Sequence, residues 1–196
     1  MNETETHSAA PIGVLLCGVR GRVLVVEHDP QKVFGAEKQR PPYDRARHGE
    51  TTAEAAIRAL YDETTQRDLV TGEVLFPGFQ AAPHELTVFE DMNVPEANER
   101  LVFYVLQDES AQQRAWEWYG PVVARRSDIL KKNQWRKTPW NENVLDFSFQ
   151  SFESLIGMVQ LYKQSAIQNK MLDMCATYLT MNEVVFTSLR SLYPLQ

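Results

Sequence analysis

Arg58, Asp62 and Glu63 are the residues whose types and spacing suggest chemistry, and all lie in the stretch Gly49–Thr65, G-E-T-T-A-E-A-A-I-R-A-L-Y-D-E-T-T. Adjacent carboxylates on a rigid element suit a hard divalent cation such as Mg²⁺, which takes one or two protein carboxylates and completes its shell with water and phosphate oxygens. The same set also makes an ordinary solvated helix face.

The element that must position these groups is a helix. Thr51 and Glu54 have the T-x-x-E spacing of a capping box, in which each side chain satisfies a free backbone N–H of the first turn. At about 100° per residue, Ala53, Ala56, Ile57, Leu60 and Thr64 fall on one side of it, and Arg58, Asp62 and Glu63 on the other. Ala59 falls between Asp62 and Glu63, so the acidic face has a gap at its centre.

The stretch resembles the Nudix box, G-x5-E-x7-R-E-U-x-E-E-x-G-U, where U is a bulky apolar residue. Glu50 stands at the first glutamate, Arg58 at the arginine, Leu60 at the apolar position and Asp62-Glu63 at the acidic pair. Asp44, Ala59 and Thr65 replace the first glycine, the glutamate after the arginine and the last glycine. Upstream, Pro42 matches the proline of the family's Leu-Pro-Gly-Gly turn, with Tyr43 and Asp44 in place of the glycines. The Asp44 carboxylate is a candidate substitute for the one position 59 lacks.

The resemblance implies an α/β protein, a Nudix-like α-β-α sandwich with a mixed sheet, over residues 11–163. A flexible leader at 1–10 precedes it and a C-terminal helical extension at 164–196 follows. It implies a hydrolase of a nucleoside-diphosphate-linked substrate, weak because the box is degenerate. The cofactor would be Mg²⁺ or Mn²⁺, ligated by Asp62, Glu63 and Glu50; Glu50, Arg58 and Glu63 would serve catalysis, and Arg45 and Arg47 would bind substrate. The alternative is a catalytically inactive Nudix-fold binding module for a nucleotide, an RNA 5′ end or a protein complex.

The rest of the chain is read from pattern. Ile12–Cys17 and Arg22–Glu27, separated by Gly18-Val19-Arg20-Gly21, make a hairpin signal. Lys32–His48 reads as a loop, Leu69–Phe79 as a strand or two, and Phe89–Asn98 as an acidic loop offering Glu90, Asp91, Glu96 and Glu99 as further carboxylates. Leu101–Leu106 is a buried central strand, Trp116–Val123 a further strand, and Ser127-Asp128 a helix start. From Val144 onward amphipathic helices dominate, through Phe152, Leu155, Ile156, Val159 and Tyr162, then Ile167, Met171, Cys175 and Tyr178. Thr180 and Glu183 suggest another capping box, opening a last helix that ends before Pro194. These helices must pack on the domain, on a second copy or on a protein partner.

The 196 residues suffice for one domain with an appendage, and the net charge of −6 argues against a general nucleic-acid coat protein. Basic residues nonetheless cluster at Arg125, Arg126, Lys131, Lys132, Arg136 and Lys137 around Trp135, a candidate contact for polyphosphate or for a nucleic-acid backbone with base stacking. No apolar run approaches the roughly 20 residues of a membrane span, so no membrane is expected. Met1–Ala10 has no secretory-signal pattern, although a processed terminus would leave the organelle open. Two cysteines far apart, Cys17 and Cys175, suggest reduced thiols in an intracellular, reducing compartment.

Overall fold

The computed structural model describes residues 10–28, 39–68, 70–132, 144–161 and 165–192, with the backbone alone described at 126–132, 160–161 and 182–192. Its elements in chain order are β1 (Ile12–Leu16), β2 (Gly18–Val19), β3 (Arg22–His28), β4 (Gln39–Arg40), β5 (Tyr43–Arg45), α1 (Thr52–Thr64), β6 (Gln66–Arg67) and β7 (Val74–Phe76). There follow β8 (Leu86–Val94), β9 (Glu99–Leu106), α2 (Glu109–Lys132), β10 (Val144–Ser151), α3 (Phe152–Leu161) and α4 (Ala166–Leu192).

One sheet has the order β5-β1-β9-β8 and is mixed: β1 runs parallel to β9, and the other pairs are antiparallel. A second has the order β10-β3-β2, with β4 also on β3. The apolar runs feed two cores because successive side chains of a strand point to opposite faces. Leu15, Leu24, Val26, Val102, Tyr104 and Leu106 join one cluster with Ala56, Ile57 and Leu60 of α1 and Ala111, Ala115 and Val122 of α2. Val14, Leu16, Val23, Val25, Leu101, Phe103 and Val105 join the other with Leu155 of α3 and Met171, Leu172, Cys175, Tyr178 and Leu179 of α4. The fold is therefore α/β, a sandwich with helices on both faces of a mixed sheet, as expected.

Two glycines let helices seat closely. A Cβ on Gly13 would stand 1.9 Å from the Thr52 carbonyl oxygen, so only glycine lets the start of α1 lie on β1. A Cβ on Gly18 would stand 2.3 Å from the ring of Tyr178 in α4.

Several local expectations are corrected. The hairpin forms between β2 and β3 across Arg20-Gly21, both at positive φ, but β1 belongs to the other sheet. Part of the expected loop at 32–48 is strand, β4 and β5; its earlier residues lie outside the described ones. The acidic segment from Phe89 continues β8 to Val94, an edge strand on which charged residues are normal, with Asp91 paired across it to Arg100.

Trp116–Val123 is helix, not strand. Asp108 caps α2 by accepting the Ala111 N–H at 2.7 Å, and Ala111, Ala115 and Val122 recur at helical spacing toward the core. That periodicity outweighs the strand preference of Trp, Tyr and Val, and Ser127-Asp128 lies inside the same helix. Thr180 likewise caps nothing: α4 runs through it, and its hydroxyl donates to the Ala176 carbonyl one turn back, at 2.9 Å. Among the described residues no helix is long and apolar enough to cross a membrane. Both cysteines are free and buried, and burial pushes the Cys17 thiol up to about 12.

Candidate functional site

The site is the corner where the β5–α1 connection enters α1. Thr51 caps the helix, its hydroxyl accepting the Glu54 N–H at 3.2 Å while the Glu54 carboxylate accepts the Thr51 N–H at 2.8 Å. This is the expected capping box, and it fixes the helix start that Glu50 directly precedes.

Nearly two turns inside α1, Arg58 reaches back over the corner. Its Nε donates to Glu50 Oε1 at 2.8 Å and its Nη2 to Glu50 Oε2 at 2.9 Å, a two-pronged pair in which each side chain is 17% exposed. Nη2 also donates to the Arg45 carbonyl at 3.0 Å, and Nη1 donates to Asp44 Oδ2. Glu50 Oε2 accepts the Arg47 N–H at 2.8 Å. The Arg58 hydrogen bonds, with the Arg47 N–H beside them, hold the Glu50 carboxyl down at about 2, while Glu50 and Asp44 raise the Arg58 guanidinium. Asp44 thus enters the corner as a partner of Arg58.

The acidic pair at the other end of α1 diverges, as neighbours 100° apart on a helix must. Asp62 is exposed. Glu63 turns into the protein, where its Oε1 accepts from Arg40 Nη2 at 3.0 Å and lies 3.2 Å from His28 Nε2. His28 ends β3, Arg40 lies in β4, and both are buried. Ala59, at the position of the absent carboxylate, is also buried.

The remaining candidates lie in different settings. Arg45 is bidentate to Glu99, with Nη1 to Oε2 at 2.6 Å, and the Arg47 side chain is exposed. Arg125 is exposed on α2, its guanidinium carbon 5.9 Å from the Phe76 ring centre. Arg126, Lys131 and Lys132 follow on the same helix, while Trp135 and Arg136 lie outside the described residues. The structure therefore brings Glu50 and Arg58 together and adds Asp44; it separates Glu63 from them and adds His28 and Arg40. His28 closes an apolar strand run, and nothing in its local sequence marks it.

A divalent cation fits this arrangement poorly. Both Glu50 oxygens already accept from Arg58, Glu63 Oε1 faces a guanidinium and an imidazole, and position 59 carries a buried methyl. Among the described residues no three His, Cys, Asp or Glu side chains are grouped closely enough to hold a metal.

No protein-family model and no curated protein matches the sequence. Among solved structures, a NUDIX-family hydrolase from Clostridium perfringens is similar over 87% of this chain and 95% of its own, at a TM-score of 0.42 and 14% identity. A UDP-X diphosphatase is similar over 92% and 68%, at 0.41 and 12%. The dihydroneopterin triphosphate pyrophosphohydrolase of E. coli is similar over 83% and 92%, at 0.38 and 12%.

Proposed function

We propose that this chain is a Nudix-type domain that recognises a nucleoside-diphosphate-linked ligand, with hydrolysis slow at best. The observation that carries the reading is the two-pronged pairing of Arg58 with Glu50, the box arginine on the first box glutamate, at the loop–helix corner where the box resemblance requires it. Slow hydrolysis follows from the way the carboxylates diverge. A clamp of phosphate oxygens by Mg²⁺ or Mn²⁺ needs carboxylates that converge on one point, and here Glu50 pairs with Arg58, Glu63 turns toward Arg40 and His28, and Ala59 supplies no carboxylate.

A second reading, recognition of an RNA 5′ end, is favoured by the exposed Arg125 on α2 and the basic residues that follow it on the same helix, Arg126, Lys131 and Lys132.

The test is calorimetric titration of a nucleoside-diphosphate-linked panel into the full chain, with phosphate release followed at millimolar Mg²⁺ and Mn²⁺. Saturable binding with turnover orders of magnitude below a typical enzyme's ~10 s⁻¹ is the expected result. Fast metal-dependent turnover that Glu63→Gln abolishes would overturn the slow-hydrolysis half, and no binding across the panel would overturn the ligand class.

A further inference from the structure

His28, Arg40 and Glu63 make a cluster whose charge is not explained by the Arg58 corner. The Arg40 guanidinium is held on two sides: its carbon lies 3.9 Å from the centre of the Tyr43 ring, and Nη1 donates to the Pro41 carbonyl at 3.2 Å. Its Nη2 lies 3.0 Å from both Glu63 Oε1 and His28 Nε2. Arg40 is 5% exposed and His28 4%, whereas the Glu63 side chain is 14% exposed, the most open of the three.

The imidazole is incompletely used. Its Nε2 either accepts from Arg40 or donates to Glu63, and in both cases Nδ1 remains buried without a hydrogen-bond partner among the described residues. Two buried cationic or donor groups, braced by the sheet, thus converge on a single oxygen of a carboxylate borne by a different element, α1. Arg40 has further contacts that brace it, to the Tyr43 ring and the Pro41 carbonyl, and the Glu63 carboxylate is the member of the cluster nearest solvent. A phosphate group offers the same kind of oxygen with more charge and more acceptors, and a guanidinium fork matches it in two-pronged geometry.

We propose that Arg40 and His28 form an anion subsite for the phosphate-bearing part of the ligand, filled by the Glu63 carboxylate in the ligand-free chain and vacated by it when the ligand binds. The inference rests on the diphosphate-linked ligand class proposed above. Glu63 is then an internal competitor, and neutralising it strengthens anion binding.

The experiment is titration of inorganic pyrophosphate, in chelator-containing buffer free of divalent cations, into the full-length parent, Glu63→Gln and Glu63→Gln/Arg40→Gln, with thermal unfolding followed in parallel. Glu63→Gln keeps an acceptor oxygen for Arg40 and so retains the fold. It is expected to bind pyrophosphate about tenfold more tightly than the parent, the scale of one charge-assisted hydrogen bond, and to gain more in Tm from it. Adding Arg40→Gln is expected to abolish the gain. Equal affinity in parent and Glu63→Gln, or a gain that survives Arg40→Gln, overturns the proposal and leaves the cluster a structural clamp; should the double variant not fold, the first comparison decides. The nucleotide panel on the parent separates the two readings. Nucleotide binding without a Glu63→Gln gain sinks this subsite alone, whereas a Glu63→Gln gain without nucleotide binding sinks the ligand class alone.

Discussion

The Arg58 guanidinium holds both oxygens of Glu50, through Nε at 2.8 Å and Nη2 at 2.9 Å, and so ties the loop before α1 to the helix itself. The pair is mostly shielded from water, so it differs in weight from an exposed ion pair. Arg58→Ala leaves the Glu50 and Asp44 carboxylates without their shared partner and is expected to lower stability by about 2–3 kcal/mol, the scale of breaking a partly buried pair. Arg58→Lys should recover only a minor part, because an ammonium cannot fork across two oxygens. Urea unfolding of the three proteins measures both effects; a lysine variant as stable as the parent would show that charge alone suffices.

The same pair makes a pH prediction. Arg58 holds the Glu50 carboxyl at about 2 instead of its ordinary 4.5, so the unfolded chain takes up this proton more readily than the folded one. The stabilisation is present in full above about 4.5 and is lost as pH falls from there toward 2. Glu50→Gln lacks it at every pH. The stability difference between parent and Glu50→Gln should therefore shrink between pH 6 and pH 3, and a difference that stays constant would contradict the pairing.

Gly13→Ala tests how α1 is seated. The added methyl would stand 1.9 Å from the Thr52 carbonyl oxygen, and backbone on both sides leaves nothing flexible to yield. Helix and strand must part, and a loss of about 2–3 kcal/mol is expected, at the upper end for overpacking by one methyl group. Urea unfolding of Gly13→Ala beside the parent measures the loss, and a variant as stable as the parent would show that helix and strand can part without cost.

The fold was legible where its causes are local. Thr51 and Glu54 announce a helix start because the capping box is completed within four residues, and Leu101–Leu106 announces a strand because burial on both faces requires an unbroken apolar run. The α2 segment misled because Trp116, Trp118 and Tyr119 favour strands, while the cap at Asp108 and the alanines at 111 and 115 carry the deciding signal. The candidate site divides in the same way. Arg58 and Glu50 are eight residues apart and readable from the box, whereas Glu63 meets Arg40 across 23 residues and His28 from another strand, contacts that only strand order creates. Helical periodicity placed Asp62 and Glu63 on one acidic face; it could not show that a buried guanidinium waits under the second.

Met171, Leu172, Cys175, Tyr178 and Leu179 of α4 are buried in one cluster with Val14 and Leu16 of β1 and Phe103 of β9. The Tyr178 ring also fills the space that Gly18 leaves open. Burying each of these larger side chains contributes roughly 1.5–3 kcal/mol, which together approaches the whole stability of a typical domain, roughly 5–15 kcal/mol. A chain ending at residue 164 is therefore expected to show no cooperative thermal transition, and Tyr178→Ala in the full chain to lose about 3 kcal/mol. Calorimetry of the two proteins decides between an integral helix and an appendage. A truncated chain that melts cooperatively near the parent's Tm would make α4 dispensable, and its apolar face a surface to be covered by something else.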